Sequence, residues 1–537
     1  MEKRLLNWKQ ILCIAMALLM MLAMAACGSQ NNDAQTASTG TQEAAASGIP
    51  STTELKPVTL DWYIGAHLGN DEDVKTVNNA LNTYIKPLIN ATVTIHQFTS
   101  WDEVDQKLPV LLSSGSDVGI VGTQRGKYGT FASQGSFYEL DDLLDKYASD
   151  TKALFNDQIW KGMKVNDHIY GIPCLKDNAY IIPTNWNVDL AEKLGIKDQL
   201  PTTGIRSAAD LEDFLTMAKE KRDKVLGTDI KDPLAVGFDD IMPVWFALEQ
   251  FSGLPQGVVC NIPEIDDITG KDDNTIFDLY ETPQFKKMAK SMARMGEKGI
   301  LDYSNTDVDY KNSITAGDWA WGLTYTGDGK WMSDDTNFQI YDPSRYWIDT
   351  NAIQTAYSAV SANCKNPERA MMLLNLANTD PKVATLMRFG VEGVHYALDA
   401  NGKMIFTGVP RPSTDPKNPT YRAWYGAAIG NLMITQAPES LAGPDNVFLT
   451  KMKEDNQKAS IASHLGFTVN TDPIANQIAA CANVESQYLT ALAKAQLKES
   501  KVDSYIDEFV GKLKSNGMDD IIKEIQKQAD AWKASNK

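Results

Sequence analysis

The sequence has few of the residues that enzymes and metal sites most often use. Its 537 residues include five histidines and six cysteines, with no two histidines four positions apart and no CxxC pair. The chain also lacks the GxSxG, Walker A, HExxH and Rossmann glycine motifs. These absences argue against the common hydrolases, nucleotide-binding enzymes and zinc proteins. We therefore expect no catalytic residue, no metal and no cofactor.

Long hydrophobic runs are also scarce, and the only long one lies near the start of the chain. Three basic residues precede the apolar run Ile11–Ala26, which is shorter than the about 20 residues of a membrane-spanning helix. This pattern is typical of a secretory signal peptide. Cys27 follows small residues directly, so Met24–Gly28 resembles the lipobox of bacterial lipoproteins. We expect residues 1–26 to be removed and Cys27 to carry a lipid; an ordinary signal peptide or an uncleaved anchor is the alternative.

The segment after Cys27 and the overall charge indicate where the protein works. Residues 27–56 are rich in Ser, Thr, Gln, Asn, Ala and Gly, which predicts a flexible tether. The chain carries 51 basic and 69 acidic residues, a net charge of −18. Nucleic acids and anionic membrane surfaces attract basic proteins, so neither is an expected partner. We expect a lipid-anchored protein that faces the extracellular side of the cell membrane.

Four cysteines remain if Cys13 leaves with the signal peptide and Cys27 takes a lipid. They are Cys174, Cys260, Cys364 and Cys481. Their wide spacing leaves open whether they are buried thiols or form a disulfide.

The body of the chain, residues 57–465, alternates strand and helix patterns. Alternating apolar residues predict a strand over Val58–Ile64, a 3.6-residue period predicts a helix over Val74–Leu88, and a β-rich run follows at Ala91–Phe98. Ser100 begins a capping box and a second helix, and the short apolar strand Val118–Val121 comes next. This βαβαβ order predicts a parallel sheet with right-handed crossovers.

Further along, the α/β pattern is interrupted and then resumes. The sequence predicts a hairpin at Val165–Pro173, strands at Ala179–Pro183 and Trp319–Thr326, and helices beginning near Ser207, Pro283 and Pro367. We interpret this as two lobes whose chain crosses between them more than once. Residues 466–537 differ, because apolar stripes such as Ile506, Phe509, Val510 and Leu513 predict consecutive helices.

Aromatic residues with polar neighbours are abundant, and the 12 tryptophans are enough to supply both a core and a binding surface. Small-ligand sites combine apolar walls with a few placed polar groups, and a ring can stack on a sugar while carboxylates and amides bind its hydroxyls. Any single tryptophan is more simply a core residue. The group as a whole favours a carbohydrate site, whereas the paired carboxylates suit helix starts and solvated loops better than catalysis.

Five motifs stand in order along the chain. They are Asp117–Val121 with Gly135–Leu144, Ile169–Pro173, Asn185–Ile196, Ala316–Ala320 and Val391–Tyr396. Together they resemble the family 1 extracellular solute-binding proteins of bacterial ABC importers, and within them the LipO-like lipoproteins. The most specific is VEGVHY at Val391–Tyr396, which is similar to the G.EG.hY motif of that group. The helical end from about Gly466 resembles the group's C-terminal domain of unknown function.

The resemblance implies an α/β, two-lobed fold of the periplasmic-binding-protein-like type II, with the helical C-terminal region packed on the body. It implies a receptor rather than an enzyme, which captures a carbohydrate, most simply an oligosaccharide, between its lobes by hinge closure. The implied partners are this small-molecule ligand and the transmembrane subunits of an ABC permease, and the receptor is expected to be a monomer.

Candidate ligand contacts come from the aromatic and polar positions of the body. They are Trp62, Tyr63, Thr123, Asp177, Trp186, Trp245, Trp321, Tyr325, Asp328, Glu392, His395, Tyr396 and Trp424. Two other functions stay open: a cell-surface glycan hydrolase or lyase, which the aromatics and carboxylates would also suit, and a lipoprotein that binds a peptide or signal.

Overall fold

The computed structural model describes the chain from residue 55 to residue 535 with several gaps. The described ranges are 55–65, 68–98, 100–123, 127–181, 184–201, 205, 207–230, 232–235, 247–265, 270–301, 311–315, 338–341, 345–410, 421, 430–438 and 447–535. They all lie in one compact unit, residues 47–537. The predicted signal peptide, the lipid site Cys27 and nearly all of the tether lie outside these ranges. Within them, no helix is both long and apolar enough to span a membrane.

The first lobe begins with the βαβαβ unit that the sequence predicts. Its elements are β1 (Val58–Gly65), α1 (Asp71–Ile89), β2 (Ala91–Gln97), α2 (Trp101–Ser113) and β3 (Ile120–Thr123). β1 pairs in parallel with β2 on one side and β3 on the other. The side chains of Asn70 and Ser100 cap the two helices by accepting hydrogen bonds from backbone amides, at 3.0 Å and 3.2 Å. The three strands therefore end at one edge of the sheet.

Short helices and a hairpin complete this part of the lobe. They are α3 (Tyr128–Ser133), α4 (Asp141–Tyr147), α5 (Ser149–Lys152), α6 (Asp157–Gly162), β4 (Lys164–Val165), β5 (His168–Ile169) and β6 (Gly171–Pro173). β4 and β5 pair antiparallel as predicted. The turn residues Asn166 and Asp167 have φ values of 50° and 69°, which a two-residue hairpin turn of this type requires.

The chain then builds a second lobe around an antiparallel sheet. The elements are β7 (Tyr180–Ile181), β8 (Thr184–Asn187), α7 (Val188–Leu194), α8 (Glu212–Leu226), β9 (Leu248–Gln250), β10 (Val258–Asn261), β11 (Phe277–Asp278), α9 (Pro283–Glu297) and β12 (Phe338–Tyr341). The predicted capping box at Ser207 is present, and Thr282 caps α9 with Pro283 in its first turn. The predicted strand at Trp319–Thr326 lies outside the described residues.

The chain returns to the first lobe and adds its last strand there. The elements are β13 (Tyr346–Ile348), α10 (Thr350–Gln354), β14 (Tyr357–Val360), α11 (Pro367–Thr379), α12 (Pro381–Phe389), β15 (Ala397–Leu398), β16 (Met404–Ile405), α13 (Val447–Lys458) and β17 (Ser460–Ile461). β14 pairs antiparallel with β3 and β6, which gives the sheet order β2-β1-β3-β14-β6. β13 pairs with β7 and β17; we call these three strands the hinge sheet.

Two hydrophobic cores define the lobes. The first core draws on residues between Leu60 and Ala179 and between Ile348 and Leu465, and the second on Trp186–Trp347 and Ala462–Ala529. Trp347 and its neighbour Ile348 are both buried, but in different cores. The chain therefore passes between lobes at each strand of the hinge sheet, and the predicted two-lobed α/β fold is confirmed.

The C-terminal helices are part of the second core. They are α14 (Ala475–Ala493), α15 (Glu499–Ser515) and α16 (Met518–Ser535). Phe509 on α15 is fully buried, with its ring 5.1 Å from that of Tyr488 and 4.8 Å from that of Tyr280. The carboxylate of Glu485 on α14 accepts hydrogen bonds from the backbone of Gln256 and Gly257 and from the hydroxyl of Tyr280, each at 3.0 Å. The second lobe is incomplete without these helices.

Removing one ring from this contact tests that conclusion. Phe509→Ala should lower the free energy of unfolding by about 3–5 kcal/mol, because it empties a fully packed site. Its neighbour Val510 is only partly buried, so Val510→Ala should cost far less. Urea unfolding of both variants measures the difference, and equal, small losses would show that α15 is a dispensable appendage.

Buried acids near these helices make the stability depend on pH. Burial raises the pKa of Asp278 to about 7, while the Tyr280 amide, which donates to its Oδ1 at 2.9 Å, opposes the rise and the neighbouring Glu281 and Glu485 add to it. Burial also raises the pKa of Glu485. A carboxyl whose pKa is higher in the folded than in the unfolded chain stabilises the fold below about pH 4, and this stabilisation is lost as the pH rises to about 7.

Asp278→Asn should remove the part of this pH dependence that comes from Asp278, because the amide keeps the Oδ1 acceptor and carries no charge. The variant should be more stable than the parent at pH 8, by up to about 4 kcal/mol, and close to it at pH 4. Urea unfolding at the two pH values measures this. The matched control is Asp198→Asn, which changes an exposed aspartate. A gain in the free energy of unfolding that is the same at pH 4 and pH 8 in Asp278→Asn would contradict the raised pKa of Asp278.

Candidate functional site

One candidate surface is the edge at which the parallel strands of the first lobe end. Thr123 ends β3 and is 1% exposed, and a Cβ on Gly65 at the end of β1 would lie 3.0 Å from its Oγ1. Gln97 at the end of β2 accepts from the amide of Leu68 and donates to the carbonyl of Gly69, both at 2.9 Å. Ligands often bind at such edges in α/β sheets. Thr123 is buried and Gln97 is hydrogen-bonded to two backbone groups, so both side chains are fixed in place at this edge.

A large cavity is the second candidate surface, with a volume of about 1580 Å³. Its walls come from the outer face of α1, the α5–α6 connection, the start of α12, the VEGVHY turn, residues 431–436 and α13. Polar and aromatic lining residues include Tyr84, Asn178, Glu392, Tyr396, Asn431, Asn456 and Gln457. No described lining residue lies between 179 and 347 or beyond 457. The cavity therefore belongs to the first lobe and the 431–457 segment, and it reaches the hinge sheet at Ile348.

A tight turn places the motif residues on the cavity wall. The amide of Val391 donates to Nδ1 of His395 at 2.9 Å, which assigns the proton to Nε2, 3.2 Å from Oδ1 of Asp73. His395 and Asp73 are both buried. This network ties the turn to the first helical residues of α1 and leaves Glu392 exposed beside Tyr396. Burial and the charge of Glu392 raise the pKa of Tyr396 to about 12, so its hydroxyl stays a donor.

Amide side chains join the α13 wall of the cavity to the hinge sheet. Asn456 on α13 accepts from the amide of Ala179 at 2.9 Å and donates to the carbonyl of Lys176 at 2.6 Å. Asn178 donates to the carbonyl of Cys174 at 3.1 Å. These residues lie just before β7, so α13, the cavity wall and the first crossing of the hinge sheet form one connected unit.

Where α1 lines the cavity, the aromatic ring of Tyr84 lies next to the charged side chain of Lys382. The hydroxyl of Tyr84 donates to Asp380 at 2.9 Å, and the ammonium of Lys382 lies 4.5 Å from the centre of its ring. Partial burial and Asp380 raise the pKa of Tyr84. A cavity of this size with amides, two tyrosines and few charges suits a neutral, hydroxyl-rich ligand that is larger than a drug-sized molecule.

Two of the predicted stacking residues are core residues instead. Trp62 and Trp186 are 0% exposed, in the first and second core respectively. Trp186 donates its indole N–H to the carbonyl of Pro201 at 2.8 Å and packs edge-on against Phe214. Both rings are enclosed by their cores and present no face to solvent.

The other predicted residues are scattered. Tyr63, on the face of β1 opposite Trp62, stacks on His96 with the ring centres 4.4 Å apart. Asp177 pairs with Lys176 at 2.9 Å next to the cavity residue Asn178. Glu392 and Tyr396 line the cavity, and His395 only positions their turn. Trp245, Trp321, Tyr325, Asp328 and Trp424 lie outside the described residues.

Sequence reasoning missed most of the cavity. Tyr84, Asn431 and Asn456 come from three distant segments, and nothing in a single sequence indicates that they meet. Tyr84 lies at the edge of the apolar stripe of α1 and packs partly against the first core, so its position in the sequence did not distinguish it from a core residue.

Gly393 within the VEGVHY turn and Gly390 just before it provide a matched test of the geometry of the turn. Both have positive φ, 81° at Gly390 and 78° at Gly393, but a Cβ on Gly390 would lie 2.5 Å from Nδ1 of His395, whereas one on Gly393 meets nothing within 4 Å. Gly393→Ala should cost about 1 kcal/mol of stability from backbone strain, and Gly390→Ala about 1–3 kcal/mol more because His395 must move. Chemical denaturation compares them, and equal losses would show that His395 does not hold the turn.

Comparison with known proteins supports the resemblance. Residues 463–534 match the domain of unknown function DUF3502. A carbohydrate ABC transporter substrate-binding protein of Streptococcus pneumoniae serotype 4 is 26% identical over 99% of this chain and 100% of its own length. The crystal structure of the N-glycan transport solute-binding protein NgtS of S. pneumoniae shares the fold, with a TM-score of 0.69 at 24% identity over 90% of this chain and 100% of that one. The alginate-binding protein AlgQ2 is more distant, with a TM-score of 0.52 at 18% identity over 88% of this chain and 98% of that one.

The matched domain coincides with the helices α14–α16 that complete the second core, and both structural relatives are solute-binding proteins. The resemblance predicted from the motifs is thus confirmed: the chain is a full-length relative of a carbohydrate ABC transporter substrate-binding protein, with the solute-binding-protein fold and a C-terminal DUF3502 domain.

Proposed function

We propose that this protein is the substrate-binding receptor of an ABC importer and that its ligand is an oligosaccharide. The observation that carries the proposal is the full-length match to a protein named as a carbohydrate ABC transporter substrate-binding protein. The two-lobed fold with a hinge sheet supports it, because capture by hinge closure needs two rigid bodies and a short connection. The permease subunits of the importer are the proposed protein partners of a monomeric receptor.

The ligand class follows from the relatives and from the cavity. NgtS has been crystallised with Man1GlcNAc and with Man5GlcNAc, so mannose-containing N-glycan fragments are the first ligands to test. The cavity of about 1580 Å³ holds more than one sugar ring, and its amides and tyrosines suit hydroxyl groups. We propose that the ligand contacts Asn178, Glu392 and Tyr396, and that Tyr63, Thr123 and Asp177 lie near its path.

A ligand in this position would favour one hinge angle. Asn178 and Ile348 line the cavity and lie at the first two crossings between the lobes. A ligand that binds one arrangement of these segments more tightly shifts the population toward that arrangement. The size of the shift is set by the difference in affinity for the two arrangements. The predicted contacts from the remaining aromatic residues, Trp245, Trp321, Tyr325 and Trp424, and from Asp328 are part of the same proposal.

The proposal includes the location of the protein and the absence of catalysis. A lipid on Cys27 and the tether 27–56 would hold the lobes at the extracellular face of the cell membrane, where an importer receives its substrate. The receptor would return its ligand unchanged. The alternatives are a glycan hydrolase or lyase and a peptide receptor, and both are outcomes of the experiment below.

Binding of Man5GlcNAc by the full-length protein tests the proposal. At 100 times its dissociation constant the glycan should stabilise the protein by about 2.7 kcal/mol, whereas a linear glucose oligosaccharide and a cationic peptide should not. Calorimetry and thermal unfolding measure this, with mass spectrometry of the recovered glycan. Stabilisation by the peptide alone would favour the peptide receptor, and a cleaved glycan would favour the enzyme.

A matched pair of variants tests the site. Glu392→Gln should weaken glycan binding at least about tenfold, a loss of about 1.4 kcal/mol, because it replaces a charged hydrogen-bond acceptor on the cavity wall. Glu454 is exposed on α13 and is not among the cavity residues, so Glu454→Gln should bind normally. Unchanged binding in Glu392→Gln would place the ligand away from this wall.

A further inference from the structure

Three side chains able to bind a metal meet inside the second lobe. Glu249 lies on β9, Cys260 is its direct partner across the antiparallel pair on β10, and His464 follows β17. All three are buried, with exposures of 1%, 0% and 1%. One ligand atom from each lies within 4.8 Å of the other two. The cluster shares no residue with the lining of the cavity.

The hydrogen bonding of this cluster is incomplete. Oε2 of Glu249 lies 2.9 Å from Nδ1 of His464, but Oε1 of Glu249 and Nε2 of His464 have no hydrogen-bond partner among the described residues. Buried polar atoms are nearly always paired, and an unpaired one costs stability. Two unpaired ligand atoms on adjacent buried side chains therefore point to a missing partner at this place.

The charges around the cluster have the sign that a cation would balance. Glu249 forms no ion pair with a Lys or Arg among the described residues and contacts the imidazole of His464 instead, while the Lys533 ammonium is near enough to act on the Cys260 thiol. Burial and Glu249 raise the pKa of the nearby Asp349 to about 7. The rings of Phe251 and Phe467 lie beside His464, with their centres 5.6 Å and 6.2 Å from that of the imidazole.

We propose that Glu249, Cys260 and His464 bind a Zn²⁺ ion that ties β9 and β10 to the third strand of the hinge sheet. Zinc takes thiolate, imidazole and carboxylate ligands together, at about 2.0–2.3 Å, and a three-residue set leaves one position for water. A tetrahedral ion with these bond lengths spaces its ligand atoms about 3.5 Å apart. The ligand atoms here lie within 4.8 Å of one another, with Oε2 of Glu249 and Nδ1 of His464 2.9 Å apart, so small side-chain shifts would bring them to this spacing. The thiolate excludes the hard cations Mg²⁺ and Ca²⁺. The proposal departs from the sequence-based expectation that the protein holds no metal.

The site would act on structure rather than on the ligand. His464 lies between β17 and the C-terminal helices, so the metal would fix where the chain leaves the hinge sheet and enters the second core. This role is independent of the identity of the transported solute, and its test does not use a sugar.

The test measures metal in the full-length protein after purification, dialysis and refolding with ZnSO₄. The expected result is one zinc ion per chain and a higher unfolding temperature than in protein refolded with a chelator. Refolding with CoCl₂ should give a sulfur-to-cobalt charge-transfer band in the near ultraviolet. This band appears only with a cysteine ligand, and it can be measured on the protein without any substitution. Absence of zinc and of this band in the refolded protein would overturn the proposal.

Variants assign the ligands. Cys260→Ser and His464→Ala should each lose the zinc and the cobalt band, while Cys481→Ser, which changes another fully buried cysteine of the same core, should keep both. If Cys481→Ser loses the band and Cys260→Ser keeps it, the metal lies elsewhere and the proposal fails. If either ligand variant does not fold, the proposal is still tested by whether the parent protein shows the cobalt band.

Discussion

The separation of two hydrophobic cores is the constraint on which the rest of the structure depends. Protein interiors are close-packed and resist deformation, so a change of shape must occur where neither core is continuous. That place is the hinge sheet, where Trp347 packs in the second core and the adjacent Ile348 in the first. Three short strands join the lobes, and each lobe can turn as a unit while its own packing stays intact.

The cavity beside the hinge connects this architecture to recognition. Asn456 is bonded to the backbone on both sides of Asn178, so the cavity wall formed by α13 moves with the first crossing strand. A ligand that bridges this wall and the VEGVHY turn would contact a segment that is hydrogen-bonded to the first crossing of the hinge sheet. Binding would then be coupled to the hinge through a few hydrogen bonds and through Ile348, which lines the cavity and packs in the first core.

Local sequence patterns predicted the local structure, but they did not predict which distant segments meet in the fold. The alternation in β1, the caps at Ser100 and Ser207 and the start of α9 at Pro283 were readable because each depends on neighbours in sequence. The same alternation hid the role of Trp62, because a single strand does not say which of its faces is the buried one. The cavity and the Glu249–Cys260–His464 cluster depend on segments more than 200 residues apart, and only the fold brings these together.

The way the chain is shared between the lobes also governs the order in which the protein can fold. The first sheet needs β14, between β3 and β6, before its strands form a continuous ladder. The second core needs Phe509 and Ile525 from the last helices. Neither lobe can therefore reach its native packing while the C-terminal half of the chain is still being made, and a growing chain stays loosely structured until its end emerges.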